Sequence, residues 1–150
     1  MARREHEQGR IVVGVDGSPS SVAALRWALG QAELTGATVE AVNAWQPLTA
    51  WGDVIPVYPG DTPADTALEH LAAVVDEVAD EHRSVEIARV VTQGHPAKVL
   101  LERAEEASLL VLGNRGHGGF VGALLGSVSQ HCIHHAACPV LVVRSEERHD

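Results

Sequence analysis

Four glycines fall within seven residues, Gly113, Gly116, Gly118 and Gly119, directly after the apolar run 109–112. Gly126 then stands before Ser127, a residue type suited to capping a helix. Glycine lets the backbone approach a ligand closely, and the free N–H groups at a helix start carry partial positive charge. A loop of this kind followed by a helix can therefore hold a phosphate group with few side chains. A turn needed only to fold the strand back would account for one or two of these glycines, and leaves the downstream Gly-Ser pair unexplained. Arg115 is the cation inside the loop, placed either to reach a terminal phosphate or simply to be solvated, and His117 carries the same two readings. Far upstream, Asp16 follows a second apolar run, 10–15. Its carboxylate could accept from a ribose hydroxyl or meet a magnesium ion carried by phosphates. It could equally form an Asx turn or support the cap of the next helix.

These residues need elements to position them. The run 10–15 is apolar on both faces and reads as a central parallel strand. Ser18 suits the N-cap of a first helix, with Pro19 at its first position; Val22, Leu25, Leu29 and Ala32 mark its buried face and Gly36 its end. A second strand is expected over 37–45. The stretch 46–61, with its prolines, Trp51 and Tyr58, is neither helix nor central strand and reads as a lid, a spacer or a packing surface. Thr62 to Asp65 reads as a capping box opening a helix whose apolar stripe is Ala64, Ala67, Leu68, Leu71, Val74, Val75 and Val78. A third strand over 85–92, possible as an edge, leads through Gly94-His95-Pro96 into a helix near 97–106. A fourth strand over 109–112, a helix from Ser127 to about 136 and a fifth strand over 139–143 follow. Alternating strands and helices imply a parallel sheet wound on both faces, a Rossmann-like three-layer α/β sandwich.

The spacing Gly113-x2-Gly116-x9-Gly126-Ser127, with Ile11 to Ser18, Gly94-His95-Pro96 and Cys138 to Val143, resembles the ATP-binding subgroup of the universal stress protein family over nearly the whole chain. That resemblance implies the strand order 3-2-1-4-5. In this order the Asp16 turn and the Gly113 loop meet at the topological switch point, where such sheets bind ligands. It implies ATP with magnesium as ligand, Asp16 being the position through which the ion could be met. It also implies a nucleotide site made of Gly14, Val15, Asp16, Ala44, Leu112, Gly113, Asn114, Arg115, Gly116, His117, Gly126, Ser127, Val128 and Ser129. The family position matched by Ala44 supplies the backbone edge for adenine. Ala44 is smaller than the aliphatic residue often found there, and it also reads simply as core. The family commonly pairs its terminal strands across a two-fold axis, which implies a homodimer through Val140, Leu141, Val142 and Val143.

The remaining features limit the function. At 150 residues the chain suits one domain, taken as 10–145 between a disordered arm over 1–9 and a charged tail over 146–150. A formal net charge of -9, with Lys98 as the one lysine, argues against nucleic acid as a partner. No apolar run approaches bilayer length, so membrane is not expected and a cytoplasmic location is. Cys132 and Cys138 stand in no metal or redox spacing and read as reduced, buried thiols. His131, His134 and His135 share one arc of the last helix, which is either a solvated or interface face or a metal-binding pair. No paired-carboxylate or Ser/His/Asp arrangement is legible, and the Gly14 to Ser18 turn lacks the dinucleotide glycine pattern. The chain reads as a nucleotide-dependent regulator in stress response with slow or no hydrolysis. The alternatives are an ATP-using enzyme of the related nucleotide-binding α-hydrolase group, and a dimerisation or docking module without nucleotide; the Gly-Ser pair counts against the latter, since relatives that do not bind ATP commonly lack it.

Overall fold

Strands buried on both faces need unbroken apolar runs, and this chain places such runs at the middle of its sheet. The computed structural model describes residues 9–46, 49–50, 53–54, 63–115 and 125–145. Its strands are β1 (Arg10–Gly14), β2 (Thr38–Trp45), β3 (Thr49–Ala50), β4 (Asp53–Val54), β5 (Ile87–Gln93), β6 (Leu109–Gly113) and β7 (Val140–Val143). Its helices are α1 (Pro19–Thr35), α2 (Pro63–Ala79), α3 (Pro96–Arg103) and α4 (Ser127–His135). The main sheet has the order β5-β2-β1-β6-β7 and is parallel throughout. Without the two-residue strands this is the expected 3-2-1-4-5, with β5 and β7 at the edges.

Alternate residues of each central strand feed two separate cores, as the pleat requires. Ile11, Val13, Val39, Ala41 and Val111 pack with Leu25 and Leu29 of α1 and Leu71, Val75 and Val78 of α2. Val12, Val42, Leu110 and Leu112 pack with Val99 and Leu100 of α3 and Cys132 of α4. Helices thus cover both faces. α1 begins and ends as its sequence dictates: Ser18 accepts from the Ser21 N–H, Pro19 opens the helix, and Gly36 closes it at φ 78, its N–H donating to the Ala32 carbonyl at 2.8 Å.

Several expectations are corrected. The stretch 46–61 is not wholly irregular, because β3 and β4 form a short antiparallel ladder within it. The apolar stripe of α2 is narrower than its periodicity suggests: Leu68 lies on its flank and is 51% exposed. α3 stops at Arg103, three residues early, in a run of turns where Ala107 N–H donates to the Ala104 carbonyl. Thr62, Trp51 and Tyr58 lie outside the described residues.

One buried charge escaped the sequence reading. Glu40 on β2 is 4% exposed and would be costly to bury alone. Arg10 of β1 reaches it at 2.9 Å and Arg103 of α3 holds its other oxygen, while Arg10 also donates to the Arg103 carbonyl at 2.8 Å. This triad ties the start of β1 to β2 and to the end of α3.

Candidate functional site

β1 and β6 are neighbours, yet the helix after β1 lies on one face and the helix after β6 on the other. Their C-terminal ends therefore diverge and leave a crevice at the switch point. Three serines of one turn close its base. Ser18, Ser20 and Ser21 are all buried. Ser20 Oγ donates to the Arg115 carbonyl at 2.6 Å and accepts from the Arg115 N–H at 3.3 Å. Ser18 Oγ lies 3.3 Å from the same carbonyl and donates to Asp16 at 2.5 Å.

Gly113 is required here by contact rather than by an unusual backbone angle. A Cβ on it would lie 2.6 Å from the carbonyl carbon of Ser20 and 2.7 Å from the nitrogen of Ser21. Only glycine lets the end of β6 rest against the first turn of α1. The next residues are fixed by their backbone. Asn114, itself buried, donates to the Val143 carbonyl at 2.9 Å and accepts from the Gly126 N–H at 2.6 Å. Ser129 Oγ donates to the Gly113 carbonyl at 2.7 Å, so its hydroxyl positions α4 against β6.

α4 starts at Ser127 as expected, but its cap differs. Gly126, at φ −74 and ψ 166, is the N-cap, and Ser127 is the first helical residue. The N-cap residue makes no side-chain capping bond, which a Ser at that position could have made. The first N–H groups of any helix lack intrahelical partners, and those of α4 meet no side-chain oxygen from the cap position. Such groups carry partial positive charge, and at this helix start they face the end of the crevice.

Asp16 realises the Asx turn weighed for it: one carboxylate oxygen accepts from Ser18 N–H at 2.9 Å and from the Ser18 hydroxyl. The residue is nevertheless exposed at the crevice mouth, so the turn leaves it accessible to solvent. Beside it, Asn43 donates to the Val15 carbonyl at 2.8 Å and Val15 N–H donates to the Val42 carbonyl at 2.8 Å. The β1–β2 register ends at Gly14↔Val42 while β2 continues beside β5 to Trp45, so Ala44 lies on a stretch that runs past β1. Ala44 also packs into the α3 and α4 core, as its alternative reading had it.

The structure thus gathers Gly14, Val15 and Asp16 with Leu112 to Arg115 and with Gly126 to Ser129, and sets Ala44 on the adjoining strand. Gly116 and His117 lie outside the described residues. Sequence reasoning passed over Ser20 and Ser21; the signal available was the serine-rich run Ser18-Pro19-Ser20-Ser21. Among the described residues no group of three or more His, Cys, Asp or Glu converges to hold a metal. Burial pushes the Cys132 thiol up to about 11 and raises that of Cys138, opposing the thiolate in both. Cys138 is half-buried rather than buried.

Fold and crevice define a doubly wound α/β protein with a helix start at its switch point. The universal stress protein family model matches residues 8–144. A universal stress protein of Mycolicibacterium smegmatis is 36% identical over 135 residues, covering 89% of this chain and 45% of that protein. One of Mycobacterium tuberculosis is 36% identical over 141 residues, 92% of this chain and 46% of that protein. The chain belongs to the universal stress protein family, and spans about half the length of these curated relatives. Among solved structures, UspA from Lactobacillus plantarum superposes with a TM-score of 0.74 at 22% identity, over 91% of this chain and 97% of that one. A universal stress protein in complex with cAMP gives 0.64 at 28% identity, over 93% and 98%. One from Archaeoglobus fulgidus in complex with dAMP gives 0.64 at 25% identity, over 90% and 97%.

The Gly113 contact yields a stability prediction. Gly113→Ala should cost about 1–3 kcal/mol through overpacking against α1, read as a lower urea midpoint. An unchanged midpoint would mean that the two loops are not held in contact.

Proposed function

We propose that this chain binds ATP with magnesium in the crevice and acts as a nucleotide-dependent regulator in stress response, with slow or no hydrolysis, in the cytoplasm. The observation that carries the reading is the uncapped start of α4 at Gly126. It is joined to the exposed Asp16 through Asn114, Arg115 and Ser18 by consecutive backbone and side-chain links. Phosphates would lie on the N–H groups of Ser127, Val128 and Ser129, with Gly113 to His117 around them. Adenine would meet the backbone of β2 near Ala44, and Asp16 would serve the ribose or the ion. The complexes of two relatives with cAMP and dAMP support an adenine nucleotide as the ligand class. Magnesium fits a site with one exposed carboxylate, since that ion keeps several waters and is usually shared with phosphates.

Gly126 takes backbone angles open to any L residue. Gly126→Val should therefore fold as the parent does while losing at least tenfold in ATP affinity, about 1.4 kcal/mol, by calorimetry. Parent-like binding by this folded variant would sink the assignment of the cradle.

Asp16→Asn keeps an oxygen for the Asx turn and removes the charge. Affinity for ATP with magnesium should fall several-fold, and for metal-free ATP by less. If neither affinity moves, Asp16 serves the turn alone.

We further infer a homodimer through β7. Val140 to Val143 are half-buried, and among the described residues β7 pairs with β6 on one side only. An apolar edge of this kind is protected when a second copy pairs with it. Sedimentation at tens of micromolar should give a dimer with or without ATP; a monomer in both would overturn the inference.

A further inference from the structure

Away from the crevice, α4 carries a cluster that the nucleotide reading does not use. His131, His134 and His135 are all exposed. His131 and His135 are one helical turn apart on the same face, and their ring centroids stand 4.5 Å from each other with the planes tilted by 39°. At that separation one nitrogen from each ring can reach a single ion at the roughly 2.0–2.1 Å of an imidazole–zinc bond. We propose that His131 and His135 form a bidentate site for a divalent transition metal ion of the zinc type, with water in the remaining positions.

The donor chemistry selects the ion class. Imidazole nitrogens suit zinc, copper and nickel, whereas magnesium and calcium take oxygen ligands, so this site is chemically separate from any ion carried by phosphates at Asp16. Its position favours a cation twice over. His135 lies in the last turn of α4, where helix carbonyls carry partial negative charge, and the whole chain has a formal net charge of -9. Among the described residues no third His, Cys, Asp or Glu converges on the pair. Two protein donors make an exchangeable site with open positions, unlike the closed four-ligand sites that hold structural zinc. His134 stands three residues from His131 and directly beside His135, outside the one-turn pair, and so provides the internal control.

The test is a calorimetric titration of the full chain with zinc chloride alone, without nucleotide, near neutral pH. His131→Ala and His135→Ala should each weaken the tightest binding event at least tenfold, while His134→Ala changes it less than twofold. The side chains replaced are exposed, and circular dichroism confirms that each variant is folded. Zinc uptake through His6, His117 or His149 would persist unchanged in all three variants. If the tightest event is of that kind, if His134→Ala matches the loss of the other two, or if no uptake occurs at millimolar zinc, the proposal is overturned. None of these outcomes bears on the nucleotide reading.

Discussion

The close approach of β6 to the first turn of α1 is the constraint from which the rest of the crevice follows. A parallel strand and a helix that belongs to its neighbour can meet at backbone distance only where one residue has no side chain, and Gly113 is that residue. Once the two backbones touch, Ser20 can bond both polar groups of Arg115, and Ser18 can reach the same carbonyl and Asp16 together. Asn114 then falls between the end of β7 and the start of α4. The loop after β6 is thus anchored to three elements within two residues of leaving the sheet.

The opposite end of the sheet is secured by different means. There the anchor is ionic, with Glu40 enclosed by Arg10 and Arg103 across two strands and a helix. A buried carboxylate with two guanidinium partners does little for net stability compared with an apolar substitute, since desolvation offsets much of the attraction. It does fix which strand meets which helix, because a shifted register would leave the charge unpaired. Geometry is therefore set at the strand starts by charge, and at the strand ends by glycine and serine.

Much of this was legible in the chain. The alternation of Ile11, Val12 and Val13 between two cores, the Ser18-Pro19 start of α1 and the Gly36 end depend on local physics, and the structure follows them. The family pattern correctly gave the sheet order. What was illegible depends on partners distant in sequence. Nothing local marks Glu40 as buried, because its two arginines come from other elements. Ser127 satisfies the rules for an N-cap, but the Gly126 N–H is drawn to Asn114, and the cap falls on Gly126, one residue before the one expected. Leu68 obeys the stripe of α2 and still faces solvent, since periodicity does not say how wide a neighbouring surface is. The role of Ser20 needed the loop it bonds.

The bare N-cap of α4 has an evolutionary consequence. A serine, threonine, asparagine or aspartate at position 126 is the simplest stabilising change available to this nine-residue helix. Each would place an oxygen where the proposed phosphate would sit, and aspartate would add a repelling charge. Selection for a sturdier domain and selection for an open crevice therefore pull this one position in opposite directions. On the proposed reading, glycine there marks a helix less stable than a capping residue could make it, the trade of stability for function that natural proteins make at their sites.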